Sequence, residues 1–283
     1  MSARIAIAKL DPQHPQAGPR IRNPQFPVVI FWGLIAVSVL GLFVVPWPIA
    51  TKLQGVVHGL CAQRPSHSFA LGGTNLPFDA RMAGIYGGVL TTLAFLVARG
   101  RWRAIRLPSW PILALIAGFV ALMGLDGVNS TLQDFGLPYA YEPDNRLRLA
   151  TGLLMGVALG LLLCYLTSAT LWAYVVDVPI LRGWREMVAL LGCLGVAYLL
   201  IASGWGWLYL PVALALVSGA VITVLLLSLS TLVLLYGREN RARRPADVAG
   251  LASVALLLGY AVMALIAVGR WYLESRLGVE LPL

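Results

Sequence analysis

Residues 145–160 read NRLRLATGLLMGVALG, and this stretch decides the architecture. Gly152, Gly156 and Gly160 recur every four residues inside an apolar run that continues to Val175. That spacing puts them on one face of a helix. Glycines on one face let a second helix approach until the backbones nearly touch. Asn145 and Arg148 continue the stripe toward the helix start, so they are predicted to point into a bundle rather than into lipid. Pro143 and Asp144 stand just ahead, a proline suited to a first turn and an acid that complements the positive helix end.

Outward from this helix the chain repeats the theme. Apolar runs at 28–45, 83–97, 112–125, 150–175, 187–208, 212–236 and 250–266 are separated by short polar connections. A helix needs roughly 20 apolar residues to cross the hydrocarbon core. The runs at 83–97 and 112–125 fall short, and are predicted to extend through their polar flanks. The fold class is therefore all-α, a polytopic transmembrane bundle of about seven membrane-spanning helices. Only 12% of the 283 residues are charged, against about 25% in soluble domains, which excludes a soluble globular protein. Residues 1–27, with Pro12, Pro15, Pro19, Pro24 and Pro27, read as a flexible cytoplasmic tail. Residues 28–283 read as a single transmembrane domain with its motif-bearing core at about 55–160. A polar tail ahead of a long first span argues against a cleaved signal peptide.

The net charge of +9 raises the question of nucleic acid. Its distribution answers it. With the N-terminus in the cytoplasm, Arg4, Lys9, Arg20, Arg22, Arg99, Arg101, Arg103, Arg106, Arg182, Arg185, Arg238, Arg241, Arg243 and Arg244 fall inside. Lys52, Arg64, Arg81, Arg146, Arg148, Arg270 and Arg276 fall outside. This two-to-one bias over short loops is the positive-inside signal. It predicts a multi-pass cell-membrane protein in contact with membrane lipids, including anionic head groups, and no nucleic-acid partner. Trp47, Trp205, Trp207, Tyr209, Trp271 and Tyr272 at the outer boundaries, with Trp102, Trp110 and Trp184 at the inner ones, read as interfacial anchors. Cys164 and Cys193 lie within spans and Cys61 outside them, which gives no disulfide framework.

Two connections are long and polar, 46–82 and 126–149, and both fall on the outer side. Each contains helix-compatible runs, so short interfacial helices are predicted there. The first holds HGLCAQRPSHSFALGGTNLPFDARMAGIYGG at 58–88. His58 and Cys61, at i and i+3, share a face if the stretch is helical. With His67 and Asp79 they form a donor set suited to zinc or another borderline-soft ion. The spacing matches no strong metal signature, and the alternative is an interfacial histidine beside a small buried cysteine. Asp79 and Arg81 also suit a helix start, and Gly84, Gly87 and Gly88 a close helix contact. In the second connection Asp126, Asn129 and Gln133 share a helical face. An acid after the apolar run FVALMGL needs a partner such as Arg81 or Arg148. Asn129-Ser130-Thr131 fits a glycosylation pattern, a weak motif.

These residues are expected to converge. Arg81, Asn129, Asn145 and Arg148 would form an anion- or phosphate-binding set, since guanidinium groups hold oxyanions bidentately. Asp126 and Asp79 would be catalytic acid and base. His58, Cys61 and His67 would be possible metal ligands. The competing reading is an ion-pair network that staples three helices.

The same residues resemble an uncharacterised prokaryotic membrane family, domain of unknown function 2085. Its pattern is matched by Cys61, Gln63, Ser68 and Phe69; by Pro77, Arg81, Gly84, Ile85 and Tyr86; by Asp126 and Gly127; and by Asn145, Arg148, Thr151 and Gly152. The resemblance covers about residues 55–160 and implies a membrane location and a shared site, without an activity. Members of that family resemble one another in having further cysteines or a histidine where this chain has Ala62, Asp79 and Met82, a departure that weakens a thiolate metal site here.

Three functions fit the sequence. The first is an outward-facing cationic pocket that binds or acts on a phosphate-bearing or lipid-linked substrate. The second is a transporter or channel for a small ion or solute, and the third a structural subunit of a membrane complex. Enzymatic activity is left open.

Overall fold

A computed structural model describes residues 25–277. The tail expected at 1–24 lies outside the described residues. Residues 25–27, assigned to that tail, instead form the first turn of a helix, where Pro27 removes no needed donor.

Among the described residues seven helices are long and apolar enough to cross a membrane, as the sequence predicts. They are α1 (Gln25–Val44), α3 (Ala80–Ala98), α4 (Trp110–Asp134), α5 (Asn145–Leu171), α6 (Trp184–Ala202), α7 (Tyr209–Leu235) and α8 (Pro245–Leu277), with a short α2 (Ile49–Val57) after the first. The molecule is an all-α polytopic bundle. The two short apolar runs do extend through polar flanks. α4 runs on through Asp126 and Asn129 to Asp134, and α3 opens at Ala80.

The central pair is α3 and α5, which run parallel with their backbones in contact. Gly84 faces Gly152, Gly88 faces Gly156, and Thr92 faces Gly160. A Cβ on Gly84 would lie 2.5 Å from the Leu149 carbonyl oxygen, and one on Gly156 would lie 2.6 Å from the Gly88 Cα. Neither position has room for a side chain. In lipid, apolar surface alone gives helices no reason to associate, so close backbone packing of this kind supplies the attraction. The glycine stripe read from 145–160 thus has its partner in GIYGG at 84–88.

Parallel packing also brings two positive helix ends side by side, an arrangement that calls for nearby acids. Each end has one. The Asp79 carboxylate accepts from the Met82 N–H (2.9 Å) at the head of α3, and Asp144 accepts from the Arg146 N–H (2.7 Å) at the head of α5.

Both long connections lie at this same end and touch. Arg64 pairs with Asp134 (3.0 Å), and the Asn145 amide donates to the Ser66 carbonyl (2.9 Å). The first holds the short helix α2, as predicted, but the remainder departs from a helical reading. After α2 the chain makes an antiparallel hairpin, β1 (Ser68–Leu71) and β2 (Thr74–Asp79), around Gly72 and Gly73 at φ +59° and +79°. A two-glycine turn with both φ positive suits the twist of a tight hairpin, and LGGT carried that signal. The Gly72 N–H then donates to the Gly204 carbonyl (3.0 Å), tying the hairpin tip to the α6–α7 turn. Residues 135–144 form no helix of their own, because α4 and α5 absorb both flanks.

The opposite end carries a small parallel pair, β3 (Ala104–Arg106) with β4 (Val176–Pro179). Here two arginines expected to face cytoplasm and lipid head groups do structural work. Arg101 is buried against Glu186 (3.0 Å), and the Arg103 guanidinium packs on the edge-to-face pair of Trp102 (4.3 Å) and Trp172 (4.5 Å). Among the aromatic anchors, Tyr209 is the exception: it is buried at the start of α7.

Candidate functional site

The mouth of the α3–α5 contact holds the residues of interest. Arg81 stands one turn before Gly84, and Arg148 one turn before Gly152, so each stripe begins with an arginine. The single acid between them, Asp126 on α4, is 1% exposed. It binds Arg81 and not Arg148. Arg81 Nη2 donates to the Asp126 carboxylate (2.6 Å), to the Asp126 carbonyl (3.2 Å) and to Ser130 Oγ (3.0 Å). The Tyr141 hydroxyl donates to the other carboxylate oxygen (2.9 Å), and the Thr151 hydroxyl lies 3.4 Å from the first. Asp126 is thus surrounded by donors from α3, α5 and the 135–144 connection.

Asn129 is equally engaged. Its amide donates to the Tyr141 carbonyl (2.8 Å), and its oxygen accepts from the Ala140 N–H (2.8 Å), so it pins the connection to α4. Burial and the bond to Asp126 both push the Tyr141 hydroxyl pKa upward, and the hydroxyl stays a donor.

Arg148 differs from its neighbours. It is 6% exposed, and among the described residues its guanidinium makes one hydrogen bond, from Nη1 to the Asn145 side-chain oxygen (3.1 Å). Among the described residues it forms no ion pair. The Arg81 Nε is buried without a hydrogen-bond partner among the described residues. His67 is near enough for Arg148 and Arg64 to lower its pKa, after burial as the larger cause, which favours the neutral ring.

The three expected metal ligands are held apart in roles of their own. His58 Nδ1 meets Gln63 Oε1 (3.2 Å), and its Nε2 lies 3.4 Å from Glu274. The Cys61 sulfur accepts from the backbone N–H of Asp79 (3.2 Å) and of Gln63 (3.4 Å), and burial first, then Asp79, pushes its thiol pKa up to about 12. Among the described residues no group of three or more His, Cys, Asp or Glu is arranged to hold a metal ion. Asp79 caps α3 and makes no bond to Arg81.

Several participants were missed. Gln63 sits at φ +56°, a strained backbone for a non-glycine residue, and its amide donates to the Gln54 (2.8 Å) and Pro77 (3.0 Å) carbonyls. Its place in the family pattern was visible, but not its role. Arg270 donates to the carbonyls of His58, Cys61 and Ala62, and pairs with Glu274 one turn on. An i, i+4 charged pair at the end of a long apolar run was the available signal. Nothing local marked Tyr141.

The arrangement defines a multi-span membrane protein with a cluster of charged and polar side chains at one end of its central helix pair. Residues 61–162 match the family model described as a predicted membrane protein (DUF2085), so the resemblance carried by the motifs from Cys61 to Gly152 holds. The match takes in the hairpin, α3, α4 and most of α5, which are the elements that build the cluster. No curated protein and no solved structure matches the chain.

Proposed function

We propose that this integral membrane protein binds an anionic group, phosphate-bearing or lipid-linked, at the mouth of the α3–α5 contact, with Arg148 as the principal ligand-binding residue. One observation carries the reading: Arg148, 6% exposed in the first turn of α5, has no carboxylate partner among the described residues. A buried unpaired cation is costly, and an oxyanion would relieve that cost bidentately. Asn145 orients Arg148 from one helical turn away. Asp126 and Asn129 serve by holding α3, α4 and the 135–144 connection in place. Asp79 serves by capping α3. Acid–base catalysis by the two aspartates is not part of this reading, because both carboxylates are engaged. In the cell membrane, with the N-terminus cytoplasmic as the arginine distribution favours, the site opens outward.

The test is a ligand panel on purified protein in detergent, with inorganic phosphate, pyrophosphate, an anionic phospholipid and an isoprenyl phosphate. Thermal stabilisation by a phosphate-bearing compound, abolished in Arg148→Gln, is the expected result. Stabilisation that survives Arg148→Gln, or none across the panel, rejects the site.

A further inference from the structure

At the end of the molecule remote from this site, the first turns of α1 and α8 border a cleft of about 650 Å³. The α1 wall is formed by Gln25, Val28 and Val29; the other, at the head of α8, carries Arg243, Arg244, Ala246 and Asp247. The nearby acid, Asp247, forms no ion pair with either guanidinium. The Asp247 carboxylate accepts from the backbone N–H groups of Arg243 (2.8 Å) and Arg244 (2.9 Å), so it caps the head of α8. Neither guanidinium forms an ion pair among the described residues. Arg243 leans toward the Tyr174 ring (5.8 Å), while its carbonyl accepts from Arg103 (3.0 Å), which fixes the backbone that presents it.

The α1 wall runs on beyond the cleft. None of the residues of α1 is buried, and Val29 (68% exposed) and Trp32 (63% exposed) continue the surface of the cleft along the span. In a bilayer that surface is covered by acyl chains. The cleft therefore joins an acyl-covered helix face to a pair of unpaired guanidinium groups at head-group level. A molecule with a negative charge at the head of an acyl chain complements both walls at once.

We propose that this cleft seats an anionic phospholipid, its phosphate on Arg243 and Arg244 and one acyl chain along Val28 and Val29. Basic pockets between spanning helices recognise such head groups in this way. The site is separate from the one at Arg148 and does not depend on it.

Native mass spectrometry of the full chain, titrated with phosphatidylglycerol, phosphatidylcholine or inorganic phosphate, tests the assignment. Phosphatidylglycerol should be retained over phosphatidylcholine, and Arg243→Gln/Arg244→Gln should weaken that preference about tenfold. The charge-matched control Arg238→Gln/Arg241→Gln, which leaves the cleft lining intact, should retain it. Val29→Glu puts a carboxylate into the same cleft and should also abolish the preference, which covers the case in which the double arginine variant does not fold. Equal retention of both lipids overturns the proposal. So does an equal loss in both double variants, which would mean diffuse surface charge. Binding of inorganic phosphate that depends on Arg243 and Arg244, without lipid preference, would make it a soluble-anion site and overturn it as well.

Discussion

Arg81 reaches from α3 to α4 and engages Asp126 twice with one nitrogen, through the carboxylate at 2.6 Å and the main-chain carbonyl at 3.2 Å. Two helices are thereby locked at a point where one partner is 1% exposed. Breaking such a pair leaves an uncompensated buried charge, at a cost of about 3–5 kcal/mol. Asp126→Ala and Arg81→Ala should each destabilise the detergent-solubilised protein by about that much. The double variant should lose clearly less than the sum. Additive losses in denaturant unfolding would show that the two residues act independently.

Arg148, one strand of the same cluster, should behave in the opposite way. Removing a buried cation that has no counter-ion takes away a desolvation penalty, so Arg148→Gln should be neutral or stabilising in the absence of ligand. A loss comparable to that of Arg81→Ala would mean that Arg148 holds the fold and is not free to hold an anion. The comparison of the two arginines needs only melting curves.

The stripe between α3 and α5 predicts a steep position dependence. Gly156→Val forces backbone atoms apart and should cost about 1–3 kcal/mol or more, whereas Gly118→Ala meets nothing within 4 Å and should be silent. Unfolding by graded denaturant, measured on both variants, reads the difference.

Cys61 makes a prediction in pH. Its ordinary value is 9.0 and burial raises it to about 12, so the folded chain holds this proton more tightly than the unfolded chain. The stability that the thiol contributes is whole below pH 9.0 and is lost as pH climbs toward about 12. The stability gap between the natural chain and Cys61→Ala should therefore shrink across that window. At pH 8 Cys61 should resist alkylation until the protein is denatured. Prompt labelling of the folded protein would show that the sulfur is not enclosed between Gln63 and Asp79.

The two ends of the bundle can be told apart chemically. Single cysteines at Thr74 and Tyr139 should react with an impermeant maleimide from one side of sealed vesicles, and those at Arg106 and Arg238 from the other. Thr74 and Tyr139 labelled from opposite sides would break the cluster as described.

Much of this was legible in the sequence because its physics is local. Span length, the four-residue glycine repeat and the aspartates ahead of two helices are properties of single segments, and they specify the spans, the stripe and the caps. The convergence of Arg81 with Asp126 was also readable, as a buried acid needing a cation. The choice of Arg81 over Arg148 was not, since it depends on the rotation of α4 against two neighbours. The hairpin was overlooked although Gly72 and Gly73 announced it, because a helical reading was preferred for a polar run between spans. The engagement of Asn129 by the 135–144 backbone, and of His58 by Gln63 and Glu274, arises from contacts between distant segments that no spacing rule records.

The contact between Gly88 and Gly156 has a mechanical corollary. Helices that meet main chain to main chain cannot slide or rock without opening a void, so α3 and α5 form a stiff spine. Any working motion of this protein must be taken up by elements around that spine. α4 is the natural candidate, since Arg81, Tyr141 and Thr151 hold it through polar bonds that can be remade.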